Sequence, residues 1–219
     1  MKNELNLPVF NIAVLGANGG IGRQVVQTAL RYGHKVTAIL RTPSKLAINH
    51  PDLKIVTGDV LKPETLEEHL KNKDAAVSAI GKNSIKETTL YSQGSKNLLK
   101  VLENTGTCRV FFISASGLEV NPSFNFVIKL AERFVLQKLL KNSFADLLRM
   151  ERIVKESNQN WTIIRPPQLT NKPFTGHYRY SINTFLTKGL KISRADLADF
   201  IISSLNNEST YKKTVEVGY

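Results

Sequence analysis

Cysteine and long apolar runs are the scarcest features of this 219-residue chain. Cys108 is the single cysteine, which excludes an intrachain disulfide, and its place in CRVFFISA indicates a buried strand start rather than an exposed nucleophile. No stretch approaches the roughly 18 apolar residues of a membrane span, and the first ten residues lack the apolar core of a signal peptide. We therefore predict a cytoplasmic protein that does not enter a membrane.

Repeats, low-complexity segments and Pro/Gly/Ser-rich linkers are also missing, so we predict one domain over residues 1–219. Carboxylates are few, because 18 Asp and Glu face 30 Lys and Arg, for a net charge of +12. The basic residues are scattered without interleaved aromatics, so we expect no nucleic-acid partner. The excess of positive charge favours attraction of an anionic cofactor and substrate, or serves solubility alone.

Short apolar runs alternate along the chain with amphipathic segments. This alternation predicts an α/β fold, with right-handed crossovers and a doubly wound, Rossmann-type parallel sheet covered on both faces. The predicted strands are 9–16, 34–40, 53–59, 74–81, 108–115 and 161–166. The predicted helices are 20–32, 63–72, 87–104, 123–140 and 142–157.

The pattern changes after Arg165 to a proline-marked loop, a short strand at 177–182, a helix from Ser193 and a last strand at 213–218. Ser193 suits the N-cap of that helix, with Asp196 in the acidic position of a capping box. We predict a small C-terminal lobe on the substrate side of the domain, formed mainly by residues 166–200.

The segment GANGGIG lies between the first predicted strand and the first predicted helix. In this context its glycines allow a tight turn, close backbone approach to a pyrophosphate and close contact of helix with strand, while the helix N-terminus offers N–H groups to the anion. We therefore predict that this loop binds a dinucleotide. The residues concerned are Gly16, Asn18, Gly19, Gly20, Ile21 and Gly22.

Arg41 ends the second predicted strand, where NAD-specific units carry an acidic residue that binds the ribose hydroxyls. A guanidinium there can bind a 2′-phosphate with two charge-assisted hydrogen bonds, and Lys45 follows one helical turn later. We predict NADP(H) as the cofactor; the alternative is a solvated arginine beside a turn.

Two further strand ends belong to the same predicted cofactor site. We expect Asp59 to receive the adenine amino group and Val60 to lie against the ring, although Asp59 also suits a cap for the following helix. Ala79, Ile80 and Gly81 end the fourth strand, where Gly81 lets the backbone approach the cofactor. An ordinary turn is the alternative at both places.

The chain resembles the atypical short-chain dehydrogenase/reductase proteins, in particular the NAD(P)H-binding group that includes the flavin reductase/biliverdin-IXβ reductase type and the NmrA-like proteins. The resemblance covers nearly the whole length and rests on GANGGIG, GDV, SAIG, FFISASG, WTIIRPPQLTNKPFTGHYRY and ISRADLADF. It implies a Rossmann fold, an NADP(H) site, and often the reduction of a flat conjugated acceptor such as a flavin or quinone.

The Tyr-x-x-x-Lys pair of the wider superfamily is missing, since none of the six tyrosines has a lysine four residues later. Ser114 at the end of the fifth strand is a candidate for cofactor and substrate contact, or makes a strand-end hydrogen bond. Pro166 and Pro167 suit an extended path around the nicotinamide. Gln168 stands where the resembled group carries a histidine, and is the second candidate catalytic residue.

Two functions remain open. The first is an NADPH-dependent oxidoreductase that passes hydride to a small-molecule acceptor by orientation alone, and the second is a non-catalytic NADP(H)-binding regulator of the NmrA-like kind. The histidines show no metal-ligand spacing, so we expect no metal. The helix at 123–140 is expected to pack on the sheet; the alternatives are a dimer contact, a lid or a membrane-surface helix. We expect the protein to be a monomer or a homodimer.

Overall fold

The computed structural model describes residues 8–43, 46–81, 86–119 and 141–219. Lys45 and the predicted helix at 123–140 lie outside these ranges. Within them, none of the helices is long and apolar enough to cross a membrane.

Ten strands are present in the described part of the chain, eight of them at predicted places. The strands are β1 (Asn11–Leu15), β2 (Lys35–Leu40), β3 (Leu53–Thr57), β4 (Ala75–Ser78), β5 (Arg109–Ile113), β6 (Asn160–Arg165), β7 (Gln168–Thr170), β8 (Arg179–Ile182), β9 (Lys191–Ser193) and β10 (Lys213–Gly218).

Five α-helices cover the sheet in the described ranges: α1 (Gly20–Arg31), α2 (Glu67–Leu70), α3 (Leu90–Thr105), α4 (Lys141–Lys155) and α5 (Arg194–Ser203). The predicted helix at 63–72 is divided into a 3₁₀ turn, Pro63–Thr65, and the short α2. Ser193 caps α5 as predicted, since its hydroxyl accepts a hydrogen bond from the N–H of Asp196 at 3.0 Å.

Eight strands form the main sheet in the order β3-β2-β1-β4-β5-β6-β10-β8. All neighbours are parallel except β10 and β8. The chain moves outward from β1 to β3 and then returns to β4 on the other side of β1. Ligands of doubly wound sheets bind beyond the carboxyl ends of the strands at such a reversal. The predicted Rossmann-type fold is therefore confirmed, and its topology locates the site.

Alternate residues of each central strand enter the two layers of the core. Ile12 and Val14 of β1 pack with α1 and α5 on one face, while Ala13 and Leu15 pack with α3 and α4 on the other. This alternation is the two-residue period of a strand buried on both faces. It fixes the direction of each strand end, and hence the side chains that surround the ligand crevice.

The segment 166–200 is divided between two structures. β7 and β9 form a separate two-stranded parallel sheet, whereas β8 joins the edge of the main sheet and α5 packs on α1. The sequence did not predict β7 or β9, because each has three residues and follows prolines or glycine. Cys108 corrects another expectation: it is exposed and precedes β5, whose first residue is the buried Arg109.

Candidate functional site

A cavity of about 460 Å³ opens at the carboxyl edge of the sheet, where the strand order reverses. It is formed by the ends of five parallel strands, β1 to β5, by the first turn of α3 and by parts of the C-terminal segment. The predicted cofactor-binding residues along its wall are Gly16, Asn18, Gly19, Gly20, Ile21, Arg41, Asp59, Val60, Ala79, Ile80 and Gly81. The further lining residues that the sequence reasoning missed include Thr42, Leu90, Tyr91, Ile113, Leu169 and Arg194.

The glycine loop between β1 and α1 has no room for larger residues at two positions. Gly16 has a φ of +75°, and a methyl group added there would lie 2.5 Å from the carbonyl oxygen of Ala79. A methyl group on Gly22 would lie 2.3 Å from the carbonyl oxygen of Gly16. Gly22 was predicted to bind the cofactor but is not among the residues that line the cavity; it lets α1 pack directly against the loop that does.

The N-terminus of α1 lies on the cavity wall, and no side chain of the described residues accepts a hydrogen bond from its first N–H groups. Gly19 precedes the helix and offers no side-chain cap, and the first turn contains no acidic residue. The first N–H groups of a helix have no acceptor within the helix, and their partial positive charge favours a bound anion. The arrangement fits the pyrophosphate of a dinucleotide.

Arg41 follows β2 and lies on the cavity wall. Its side chain is exposed, and within the described residues it makes no hydrogen bond or ion pair. Thr42 lies beside it on the wall, whereas Lys45 is outside the described ranges. The guanidinium is thus available to an anionic group of a ligand at the end of β2.

Asp59 lies on the cavity wall and also stabilises its own turn. Its Oδ1 accepts a hydrogen bond from the N–H of Leu61 at 3.0 Å, and its N–H donates to Oγ1 of Thr65 at 2.9 Å. Asn97 of α3 donates to the carbonyl of the neighbouring Val60 at 2.8 Å. The carboxylate therefore stabilises the turn, and the 3₁₀ helix that follows has no side-chain cap. The contact of Asp59 with adenine stays a prediction.

The opposite end of the cavity is mainly apolar, with Leu90, Ile113 and Leu169 on its wall beside Tyr91. The first turn of α3 is fixed there by Asp146, a fully buried residue of α4. The carboxylate of Asp146 accepts hydrogen bonds from the N–H of Tyr91 at 2.8 Å and from the hydroxyl of Ser92. Asp146 thus caps α3 from a neighbouring helix, so this end of the cavity has a rigid frame.

Four of the predicted residues lie near this end but are not among those lining the cavity: Ser114, Pro166, Pro167 and Gln168. Ser114 is buried, and its hydroxyl donates to Oε1 of Glu151 at 2.7 Å, which matches the strand-end alternative. Gln168 is exposed in β7, whereas the adjacent Leu169 lines the cavity. Successive residues of a strand point to opposite sides, so Gln168 faces away from the cavity.

Ser114 belongs to a buried ionic cluster at the carboxyl ends of β5 and β6. Arg165 donates to both carboxylate oxygens of Glu151, at 2.8 and 2.7 Å, and Lys155 lies 3.3 Å from the same carboxylate. Burial raises the pKa of Glu151, but the hydrogen bonds and charge of Arg165 outweigh it, and the pKa stays below its usual value. The cluster keeps Glu151 ionised, and the Ser114 hydroxyl donates its hydrogen bond to this carboxylate.

The family of the chain follows from the comparison with known proteins. A family model described as NAD(P)H-binding matches residues 16–208, which is most of the chain and includes the glycine loop and the cavity wall from Gly16 to Arg194. The chain belongs to this NAD(P)H-binding family, as the resemblance in its motifs predicted.

The chain is also similar to individual proteins and solved structures. The photosystem II assembly factor Ycf39 of Synechocystis sp. is 32% identical over 109 residues; the match covers 48% of this chain and only 33% of that protein. A candidate NADH-flavin reductase from Streptococcus pneumoniae is 26% identical, with a TM-score of 0.75 and coverage of 95% and 99%. A short-chain dehydrogenase/reductase from Veillonella parvula, solved in complex with NADP, shares the fold at 21% identity, with a TM-score of 0.78 and coverage of 96% and 95%.

Proposed function

We propose that this protein is an NADPH-dependent oxidoreductase that transfers hydride to a flat conjugated acceptor, such as a flavin or a quinone. The observation that carries the proposal is the composition of the cavity at the carboxyl edge of the sheet. One end combines the glycine loop with the unpaired Arg41, and the other end is apolar. An anionic dinucleotide and a flat acceptor match these two ends.

Arg41 supports NADPH rather than NADH as the reductant. It stands at the end of β2, makes no ion pair with the described residues, and can bind a 2′-phosphate with two charge-assisted hydrogen bonds. An acid at this position would bind the free ribose hydroxyls of NADH and repel the phosphate.

The apolar end supports catalysis by placement. When bound, the reduced nicotinamide supplies the hydride. Leu90, Ile113 and Leu169 exclude water and give a flat acceptor a surface on which to stack, while Asp146 keeps the first turn of α3 fixed. A flavin or quinone suits a site without Tyr-x-x-x-Lys, because the proton that follows the hydride can come from solvent. The relative described as a candidate NADH-flavin reductase supports the same acceptor class.

A non-catalytic NADP(H)-binding regulator is the second candidate. The commitment of Ser114 to the buried Glu151 favours it, because this hydroxyl is then not free to act on a substrate. In this case the occupancy of the cofactor site would control contact with another protein. The cytoplasmic location and the monomeric or dimeric state remain predictions under either function, and the small-molecule acceptor remains a prediction under the first.

The test combines cofactor binding with turnover. The purified protein is titrated with NADPH and NADH, and NADPH oxidation is then followed with FMN, a quinone or biliverdin. We expect NADPH to bind more tightly than NADH, one acceptor to be reduced, and Arg41→Glu to abolish the preference for NADPH. Arg152→Glu, an exposed change on α4, is the matched control. An Arg41→Glu protein that still preferred NADPH would remove the assignment, and tight binding without oxidation across the panel would favour the regulator.

A further inference from the structure

Arg194 brings a second cation to the glycine loop from a distant part of the sequence. It is the first residue of α5 and lies on the wall of the cofactor cavity. A methyl group built on Gly20 would lie 2.7 Å from Nε of Arg194 and 2.9 Å from its Cδ. The side chain therefore passes directly over the first residue of α1, and the glycine at position 20 makes room for it.

The position of Arg194 is fixed at both ends of its side chain. At the outer end, Nη1 donates a hydrogen bond to Oδ1 of Asn171 at 2.7 Å. At the backbone end, the preceding Ser193 caps α5, and the buried carboxylate of Asp196 accepts from the N–H groups of Thr175 and Gly176, each at 2.9 Å. The guanidinium is thus held over the cavity before any ligand arrives.

The charge of Arg194 is not neutralised by the described residues around it. Its hydrogen-bond partner is the neutral amide of Asn171, and the ion pairs of the described chain do not include it. The first turn of α1 beneath it has no acidic residue either. A guanidinium and a helix N-terminus consequently face the same small space, which is an arrangement that favours an anion between them.

We propose that Arg194 binds the pyrophosphate of the dinucleotide together with the glycine loop, beside the N-terminus of α1. This inference rests on the proposed use of the cavity for NADPH. Arg194 and Arg41 then have separate tasks: Arg41 at the end of β2 recognises the 2′-phosphate, whereas Arg194 holds the group that NADPH and NADH share. Asn171 is a positioning residue, because it orients the guanidinium without contact to the ligand.

The test uses Arg194→Met and three ligands, namely NADPH, NADH and adenosine 2′-monophosphate, which lacks a pyrophosphate. We expect Arg194→Met to weaken NADPH and NADH by the same factor, about tenfold to a hundredfold, since charge-assisted hydrogen bonds are lost from both. Its affinity for adenosine 2′-monophosphate stays at the wild-type value. Arg41→Met gives the opposite pattern: NADPH and adenosine 2′-monophosphate weaken, and NADH does not.

Arg152→Met controls for the general loss of one positive charge, and thermal unfolding without ligand controls for folding. Arg194→Lys keeps the charge but not the planar guanidinium, so we expect a smaller loss of dinucleotide affinity than in Arg194→Met. We expect Asn171→Ala to lower the affinity for both dinucleotides by the same factor. Equal dinucleotide affinity of Arg194→Met and wild type overturns the inference, as does a loss confined to NADPH. If Arg194→Met does not fold, wild-type affinity in both Arg194→Lys and Asn171→Ala overturns it. A wild-type protein that binds neither dinucleotide refutes the proposed function instead.

Discussion

Glu151→Gln is expected to destabilise the protein strongly, because it removes one charge from a buried pair. The side chains of Glu151 and Arg165 are only 3% and 8% exposed, so solvent does not screen their interaction. Arg165 keeps one other partner, Oε1 of Glu119 at 2.9 Å, but that glutamate is 53% exposed. Breaking a buried pair costs about 3–5 kcal/mol. We expect about 3 kcal/mol, the lower end, because Glu119 remains.

The same substitution also predicts a dependence on pH. Because the pKa of Glu151 is lower in the folded protein than in the unfolded chain, its ionised carboxylate stabilises the fold at neutral pH. This contribution begins to be lost when the pH falls below the ordinary glutamate value of about 4.3, and it disappears as the pH passes through the lowered folded pKa. The stability difference between wild type and Glu151→Gln is therefore largest at neutral pH and shrinks on acidification.

Urea unfolding followed by circular dichroism, at neutral pH and in steps toward acid, measures both effects. About 3 kcal/mol corresponds to a fall of about 6–12 °C in the melting temperature of a domain of this size. Glu68→Gln is the matched control: Glu68 pairs with Lys71 on the surface at 3.0 Å, and we expect no resolvable change. If Glu151→Gln unfolds at the same urea concentration as this control, or if its deficit does not change with pH, the reasoning is refuted.

Two further substitutions test the loop and the core. Gly22→Ala places a methyl group 2.3 Å from the carbonyl oxygen of Gly16, so we expect the loop to shift and NADPH affinity to fall at least about tenfold in a fluorescence titration; unchanged affinity would contradict the loop geometry. Arg109→Met leaves the carbonyls of Asn160 and Leu205 without their buried donor. We expect the free energy of unfolding, measured with urea, to fall by about 3 kcal/mol or more. A variant as stable as the wild type would show that these carbonyls find other donors.

The sequence predicted the central sheet well, because each strand is a short apolar run with its own boundaries. The reversal of strand order at β1 and β4 lets right-handed crossovers cover both faces of the sheet, and it explains why the glycine loop and Gly81 meet at one cavity. The cap by Ser193 was equally local, since its donor lies three residues away. Local patterns were sufficient wherever the partners are close in sequence.

Contacts between distant segments were the part that the sequence did not predict. Arg194 reaches Gly20 only because α5 packs on α1, and nothing in the motif around Arg194 indicates that contact. Ser114 was predicted to contact the cofactor and substrate or to make a strand-end hydrogen bond, and the sequence did not indicate that its hydroxyl donates to Glu151, on a helix far along the chain. The direction of Gln168 depends on β7, a strand of three residues whose pairing with β9 has no periodic signal of its own.

The most direct test of the central claim is a single turnover without oxygen, in which the protein is mixed with FMN and NADPH deuterated at the transferring carbon of the nicotinamide. We predict that the absorbance of NADPH and of oxidised flavin decreases together, that one deuterated stereoisomer slows the transfer, and that Arg41→Glu weakens the reaction with NADPH but not with NADH. If NADPH binds tightly and neither absorbance changes with FMN or with a quinone in its place, the protein is not the proposed reductase.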